Sequence, residues 1–73
     1  MESIEFKLKG IDGQFITNYT KNIIELLGEP EVSAVVDEDE RSQRVSDLLQ
    51  SLGYSVETKK LGAGSVRLIA KKG

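Results

Sequence analysis

Apolar and charged residues alternate at the beginning of the chain. From Ile4 to Lys9, each apolar side chain is followed by a glutamate or a lysine. A period of two predicts a β-strand with one face in the core and the other face in water. Gly10 ends this strand, and Asp12 and Gly13 belong to the turn that follows it.

After this turn, the apolar residues follow the spacing of an amphipathic helix that runs from about Gln14 to Leu27. Asp12 is the predicted N-cap, because its carboxylate can accept hydrogen bonds from free amides of the first turn. Gly28 suits the left-handed position after a helix, and Pro30 prevents the helix from continuing. The apolar stripe of this helix is Ile16, Tyr19, Ile23, Ile24, Leu26 and Leu27.

The middle of the chain repeats the pattern of a strand followed by a helix. The run Glu31–Asp37 is rich in valine and predicts a central strand that is moderately buried on both faces. The acidic residues 37–40 suit the positive end of a second helix, and Gly53 suits its end. The apolar stripe of the second helix is Val45, Leu48, Leu49 and Leu52.

The last third of the chain predicts a β-hairpin. Residues 54–59 and 66–71 alternate with a period of two, and the glycine-containing segment 61–64 between them has the length of a hairpin turn. The element order is therefore βαβαββ, in which the first two strands form a parallel pair through a right-handed crossover. Each helix has one apolar stripe, so both can cover the same face of the sheet. The predicted fold is an α/β two-layer sandwich in a single domain, residues 1–73.

The composition excludes most side-chain chemistry. The 73 residues include no cysteine and no histidine, which removes thiol nucleophiles, thiolate metal sites and the most common general base. We therefore expect no enzymatic activity, no cofactor and no bound metal. The 10 basic and 12 acidic residues give a net charge of −2, which argues against strong non-specific binding of nucleic acid. No apolar run is long enough to cross a membrane and the acidic start is unlike a signal peptide, so we expect a cytoplasmic location.

Four short stretches are informative through their order and spacing: LKGI at 8–11, VVDE at 35–38, LGYSV at 52–56 and VRLIAKK at 66–72. In this order and spacing the chain resembles the SirA/TusA-like sulfur-carrier domains over essentially its whole length. The resemblance implies a four-stranded mixed sheet with two helices on one face.

The signature of this family is a Cys-Pro-x-Pro element directly after the first strand, and its cysteine carries a persulfide at the start of the first helix. Counted from Gly10, the cysteine position falls on Gly13, and the two proline positions fall on Gln14 and Ile16. A helix N-terminus lowers the pKa of a thiol, but no residue of this chain can replace the sulfur. The resemblance therefore implies the scaffold, and a surface that docks partners, without sulfur-carrier chemistry.

The start of the first helix is the leading candidate for a binding surface. Its amides could hold a small anion, or Asp12 could simply cap the helix, which is the interpretation that we favour. Phe15 is equally compatible with an exposed docking residue and with a core residue under the last hairpin. We expect a protein partner, such as a sulfur-relay component, to contact Asp12, Gly13, Gln14 and Phe15.

The open face of the sheet is the second candidate surface. Alternation places basic residues there that could bind RNA or an acidic protein. Glu5 and Glu57 share this face and no set of aromatic residues is present to stack bases, so a solvated face is favoured. The basic residues are Lys7, Lys9, Lys59, Arg67 and Lys71.

The acidic run at residues 37–40 could in principle bind a divalent cation, but it lacks the spacing of a calcium loop. Negative charge at a helix start is the favoured interpretation. Taken together, the sequence favours a non-catalytic protein-interaction domain that resembles sulfur carriers and binds neither membranes nor nucleic acid. The alternative is a ligand- or RNA-binding domain that uses the open sheet face.

Overall fold

The computed structural model describes residues 4–72. The chain forms four strands and two helices in the order βαβαββ, and this predicted order is confirmed. The elements are β1 (Ile4–Lys7), α1 (Gly13–Leu27), β2 (Glu31–Asp37), α2 (Glu40–Ser51), β3 (Tyr54–Gly62) and β4 (Ser65–Lys72).

The four strands form one mixed sheet in the spatial order β1-β2-β4-β3. β1 is parallel to β2, with Phe6 opposite Ala34, as the crossover rule requires. β4 is antiparallel to both β2 and β3, so it lies between them although it comes last in the chain. β2 and β4 are therefore the central strands, which explains why β2 is buried on both faces, while β1 and β3 are the edges.

Both helices pack on one face of this sheet, as predicted, and the core lies between the two layers. α2 contacts β2, β3, β4 and α1. None of the helices between residues 4 and 72 is long and apolar enough to cross a membrane. The buried core consists of Leu8, Ile16, Ile24, Val32, Ala34, Val36, Val45, Leu49, Tyr54, Val66, Leu68 and Ala70.

The ends of α1 are set by the residues that the sequence indicated. The carboxylate of Asp12 accepts a hydrogen bond of 2.8 Å from the amide of Gln14, so its capping role is confirmed. Gly28 adopts the left-handed conformation, with φ of 61°, and its amide donates to the carbonyl of Ile24. The helix begins at Gly13, one residue earlier than predicted.

The buried face of α1 differs from the predicted stripe. Ile16, Thr20 and Ile24 form the buried line, whereas Tyr19 is 48% exposed and Leu26 is 87% exposed. The reason is the position of α2, which packs on one side of α1 and leaves the other side of the apolar stripe uncovered. The buried hydroxyl of Thr20 has no hydrogen-bond partner among the residues that the structure describes.

The hairpin turn is shorter than predicted. β3 continues through Gly62, and only Ala63 and Gly64 form the turn, so the turn predicted at 61–64 is wrong at its first two positions. Both turn residues have positive φ, 53° and 74°, as a type I′ turn requires. Leu61 is an extra residue in β3, and it makes the register with β4 irregular between Lys60 and Gly62.

Ala63 is the one non-glycine residue with positive φ among those described. Ala63→Asn should raise the free energy of unfolding by about 1 kcal/mol, because asparagine tolerates the left-handed conformation of a type I′ turn better than alanine does. Urea denaturation measures the change. Gly64→Ala is the matched contrast and should lower the free energy of unfolding. An unchanged or lower midpoint for Ala63→Asn would contradict the assigned turn.

Candidate functional site

The start of α1 and the loop before it are held in place by α2. The guanidinium of Arg41 donates a hydrogen bond of 2.9 Å to the carbonyl of Ile11, and that of Arg44 donates one of 2.9 Å to the carbonyl of Gly13. In a further contact, the loop before α1 is the donor: the amide of Gly10 donates a hydrogen bond of 2.9 Å to the carboxylate of Asp37. The loop between β1 and α1 is thus connected to the loop between β2 and α2.

Arg41 is itself fixed by two carboxylates. Its Nη2 lies 2.6 Å from Oδ2 of Asp39, and its Nη1 lies 3.3 Å from Oδ2 of Asp37. The hydrogen bond from Arg41 lowers the pKa of Asp39 and, in return, raises the pKa of Arg41. Asp39 also caps α2 by accepting from the amide of Arg41 at 2.8 Å. Both charges are therefore retained at neutral pH, and the guanidinium is held in one orientation.

Gly13 occupies the position at which the family resemblance places a cysteine. A Cβ added there would lie 3.4 Å from Cγ of Arg41 and 3.8 Å from Nη1 of Arg44, which is ordinary van der Waals contact. Gly13 has no positive φ, so its backbone conformation does not require glycine. The site could hold a small side chain between two arginines, but the glycine supplies no reactive group.

Asp12 makes the start of α1 a poor site for a bound anion. Its carboxylate accepts from the amide of Gln14, and its carbonyl accepts from the amides of Phe15 and Ile16. These contacts engage three amides of the first turn that could otherwise bind a phosphate or a sulfate. The carboxylate also places a negative charge at the same point, which repels an anion.

Phe15 is 60% exposed, so the alternative that placed it in the core under the last hairpin is wrong. Asp12 and Gln14 are also exposed, and Gly13 is half-buried, so all four predicted residues are at least partly accessible. Tyr19 lies one turn after Phe15 on the same side of α1 and is also exposed. Sequence reasoning missed Tyr19 because its helical spacing matched that of the core residues.

The open face of the sheet carries its charges in rows across the strands. Lys7, Val35, Arg67 and Lys59 are opposite one another on the four strands and form a basic row. The next row contains Glu5, Ser33, Ile69 and Glu57, and is acidic at both edges. Within the described part of the chain, none of the aromatic residues lies on this face.

The remaining predicted basic residues lie outside the basic row. Lys71 is opposite Glu31 and Ser55 in a third row. Lys9 comes after the end of β1, in a turn, because the strand stops at Lys7. The two rows are also linked, since Nε of Arg67 lies 3.0 Å from Oε2 of Glu5. The basic charge of this face is therefore partly neutralised within the protein.

All four carboxylates at residues 37–40 pair with basic side chains. Asp37 and Asp39 pair with Arg41, as described above, and Glu38 lies 3.3 Å from Lys60. Glu40 lies 3.9 Å from Arg44. Across residues 4–72, no three histidine, cysteine, aspartate or glutamate side chains are grouped to hold a metal ion. Ion pairing and capping account for this acidic run.

One solved structure supports the fold assignment. A SirA-like protein from Desulfitobacterium hafniense superposes with a TM-score of 0.78 at 22% identity, over 96% of this chain and 97% of that chain. At this identity the likeness shows the fold, so the SirA-like α/β fold predicted from the sequence is confirmed. No protein-family model matches the chain, and no curated protein matches it.

The contacts around Gly13 predict the behaviour of a thiol placed there. Gly13→Cys should fold like the parent chain, and the pKa of its thiol should fall below the unperturbed value of about 8.5. The cause is the helix N-terminus together with the guanidinium groups of Arg41 and Arg44. The thiolate absorbance, followed against pH, measures this shift.

Asn18→Cys is the matched control, because Asn18 is exposed on the same helix away from its start. Its thiol should titrate near the unperturbed value. Equal pKa values in the two variants would contradict the geometry described for Gly13.

Proposed function

We propose that this chain is a non-catalytic protein-interaction domain that uses a SirA-like scaffold without its persulfide cysteine. The observation that carries the proposal is the exposed Phe15 beside a helix start that has no nucleophile. Exposed aromatic residues on a rigid support are enriched at protein interfaces. The proposed partner is a protein, such as a component of a sulfur relay, in the cytoplasm.

The rigidity of the helix start supports a docking role. Arg41 and Arg44 bond to the carbonyls of Ile11 and Gly13, so the loop that precedes Phe15 does not need to be ordered when a partner binds. A preorganised surface avoids part of the entropic cost of association. Phe15 can therefore contribute its apolar area to binding at a low conformational cost.

The absence of an enzymatic role is part of the same proposal. The helix start presents a glycine between two arginines whose guanidinium groups are already engaged by carboxylates and carbonyls. Neither cysteine nor histidine occurs anywhere in the chain. We accordingly propose no cofactor and no covalent step.

Photo-cross-linking in cells tests the docking surface. p-Benzoylphenylalanine at position 15 should capture a discrete protein, because Phe15 faces solvent beside the helix start. The same group at position 61 is the control, since Leu61 is 44% exposed but lies on the opposite edge of the sheet. Capture from position 61 alone would contradict the proposed surface.

The captured protein, once purified, allows a quantitative test. Phe15→Ala should weaken its binding at least about tenfold, as expected for a central aromatic contact, while Leu61→Ala should leave binding unchanged. Chemical shifts in the labelled chain should move at Asp12, Gly13, Gln14 and Phe15. Shifts confined to the open sheet face would contradict the proposal and favour the alternative below.

The alternative function is a ligand- or RNA-binding domain that uses the open sheet face. The observation that favours it is the basic row, in which Lys7, Arg67 and Lys59 are aligned across the sheet. Neighbouring phosphates could contact such a row. The ion pair of Arg67 with Glu5 and the lack of aromatic residues on this face favour the protein-interaction proposal instead.

Binding of a short single-stranded RNA distinguishes the two functions. If the alternative holds, affinity should fall as salt rises and should be lost in Lys7→Glu, because a lysine in the basic row is replaced by an acid. Lys21→Glu makes the same charge change on α1 and should have little effect. Absent or salt-independent binding in fluorescence anisotropy would remove this alternative.

A further inference from the structure

β3 is an edge strand with one uncovered side. It spans nine residues, Tyr54–Gly62, and pairs only with β4, so its other side meets no strand among residues 4–72. The backbone amides and carbonyls that point to this side are open to hydrogen bonding with another strand. Residues 57–62 are all exposed, and Val56 is half-buried. β3 therefore presents a longer open edge than β1, which has four residues.

Two opposite charges on this edge lack partners. Glu57 and Lys59 lie on the open face of the sheet, two residues apart, and neither forms an ion pair with any residue that the structure describes. Lys59 is directly opposite Arg67 on β4, and like charges in opposite positions destabilise a sheet. A carboxylate on the uncovered side of Lys59 would offset this repulsion.

A second copy of β3 supplies that carboxylate in one register. When two identical strands pair antiparallel, a two-fold axis passes beside one residue, and residues at equal distances before and after it are opposite each other. With the axis at Thr58, Glu57 of each copy is opposite Lys59 of the other, at the Cβ separation of about 5 Å that suits an ion pair. An axis at Glu57 or at Lys59 would instead bring two like charges together.

The same register suits the helix face of the strand. Thr58 is opposite Thr58 of the second copy, and threonine pairs stabilise antiparallel strands. Val56 is opposite Lys60, whose methylene chain can cover the valine while its Nζ stays near Oε2 of Glu38, which is 3.3 Å away. The irregularity at Leu61 ends the regular edge just after Lys60.

We propose that β3 pairs antiparallel with β3 of a second copy of this chain, with the two-fold axis at Thr58. The ladder runs from Val56 to Lys60 in each copy and joins the two sheets into one. Edge lysines usually prevent strands from pairing. Lys59 instead rejects the registers that oppose like charges and permits the register centred on Thr58.

Self-pairing goes beyond the function proposed above and uses a different surface. β3 contacts β4 and α2, whereas Phe15 lies on α1. The ladder is short, and interfaces below about 1,200 Å² are typical of weak, transient association. The dimer should therefore form in the micromolar to millimolar range and dissociate on dilution.

Sedimentation velocity between about 10 µM and about 1 mM covers this range. The parent chain should sediment faster as its concentration rises. In parallel, the amides of residues 56–60 that point away from β4 should exchange with deuterium more slowly at the higher concentration, because they become hydrogen-bonded in the dimer. The amides of β1, the other edge strand, should exchange at the same rate at both concentrations.

Charge reversal tests the register. Glu57→Lys and Lys59→Glu should each weaken self-association at least about tenfold, because each change places like charges in opposite positions twice per dimer. A mixture of the two variants should associate like the parent chain, since every lysine of one variant is then opposite a glutamate of the other. Both side chains are exposed, so the variants should keep their fold, and circular dichroism checks that they do.

Lys7→Glu is the matched control, because Lys7 is exposed on the same face at the opposite edge of the sheet, and this variant should dimerise like the parent chain. A parent chain that stays monomeric up to about 1 mM would overturn the proposal. A mixture of the two β3 variants that associates no better than either one alone would do the same.

The test is separable from that of the proposed function. Phe15→Ala should leave the dimer unchanged, and capture of a different protein from position 15 should persist in Lys59→Glu. A second copy of this chain captured from position 61, next to the ladder, would support the dimer.

Discussion

The guanidinium of Arg41 is the contact on which the arrangement of the candidate site depends. Parallel pairing of β1 with β2 brings the loops that follow these two strands side by side. Arg41 joins them, because it bonds to the carbonyl of Ile11 in one loop and to the carboxylates of Asp37 and Asp39 in the other. The charged guanidinium is held by the two carboxylates, and it donates to the carbonyl of Ile11. This hydrogen bond gives the start of α1 a defined position.

This network accounts for how the start of α1 keeps its shape. The space beside Gly13 is bounded by Arg41 and Arg44, whose polar atoms bond to backbone carbonyls of the same loop. These bonds form within the chain and need no ligand. The helix start is therefore available as a rigid support for its exposed neighbour, Phe15.

The open sheet face and the exposed side of α1 differ in whether their surface groups have partners within the protein. On the open sheet face, acidic and basic rows neutralise one another, most directly through Arg67 and Glu5. On α1, by contrast, the exposed apolar line from Phe15 to Leu26 has no covering element among the residues described. Uncovered apolar surface has a free-energy cost in water that association would remove. This difference is why the proposed function concerns α1 rather than the sheet.

The sequence by itself determined the type and order of the elements, because a period of two or of 3.6 residues and caps such as Asp12 and Gly28 act over a few neighbouring residues. It also established that no thiol or imidazole is available. Only the tertiary structure decided that β4 lies between β2 and β3, that Thr20 is buried while Leu26 is exposed, and that Phe15 faces solvent. Those outcomes depend on which side of α1 is covered by α2 and by the sheet, and this contact joins residues far apart in the chain.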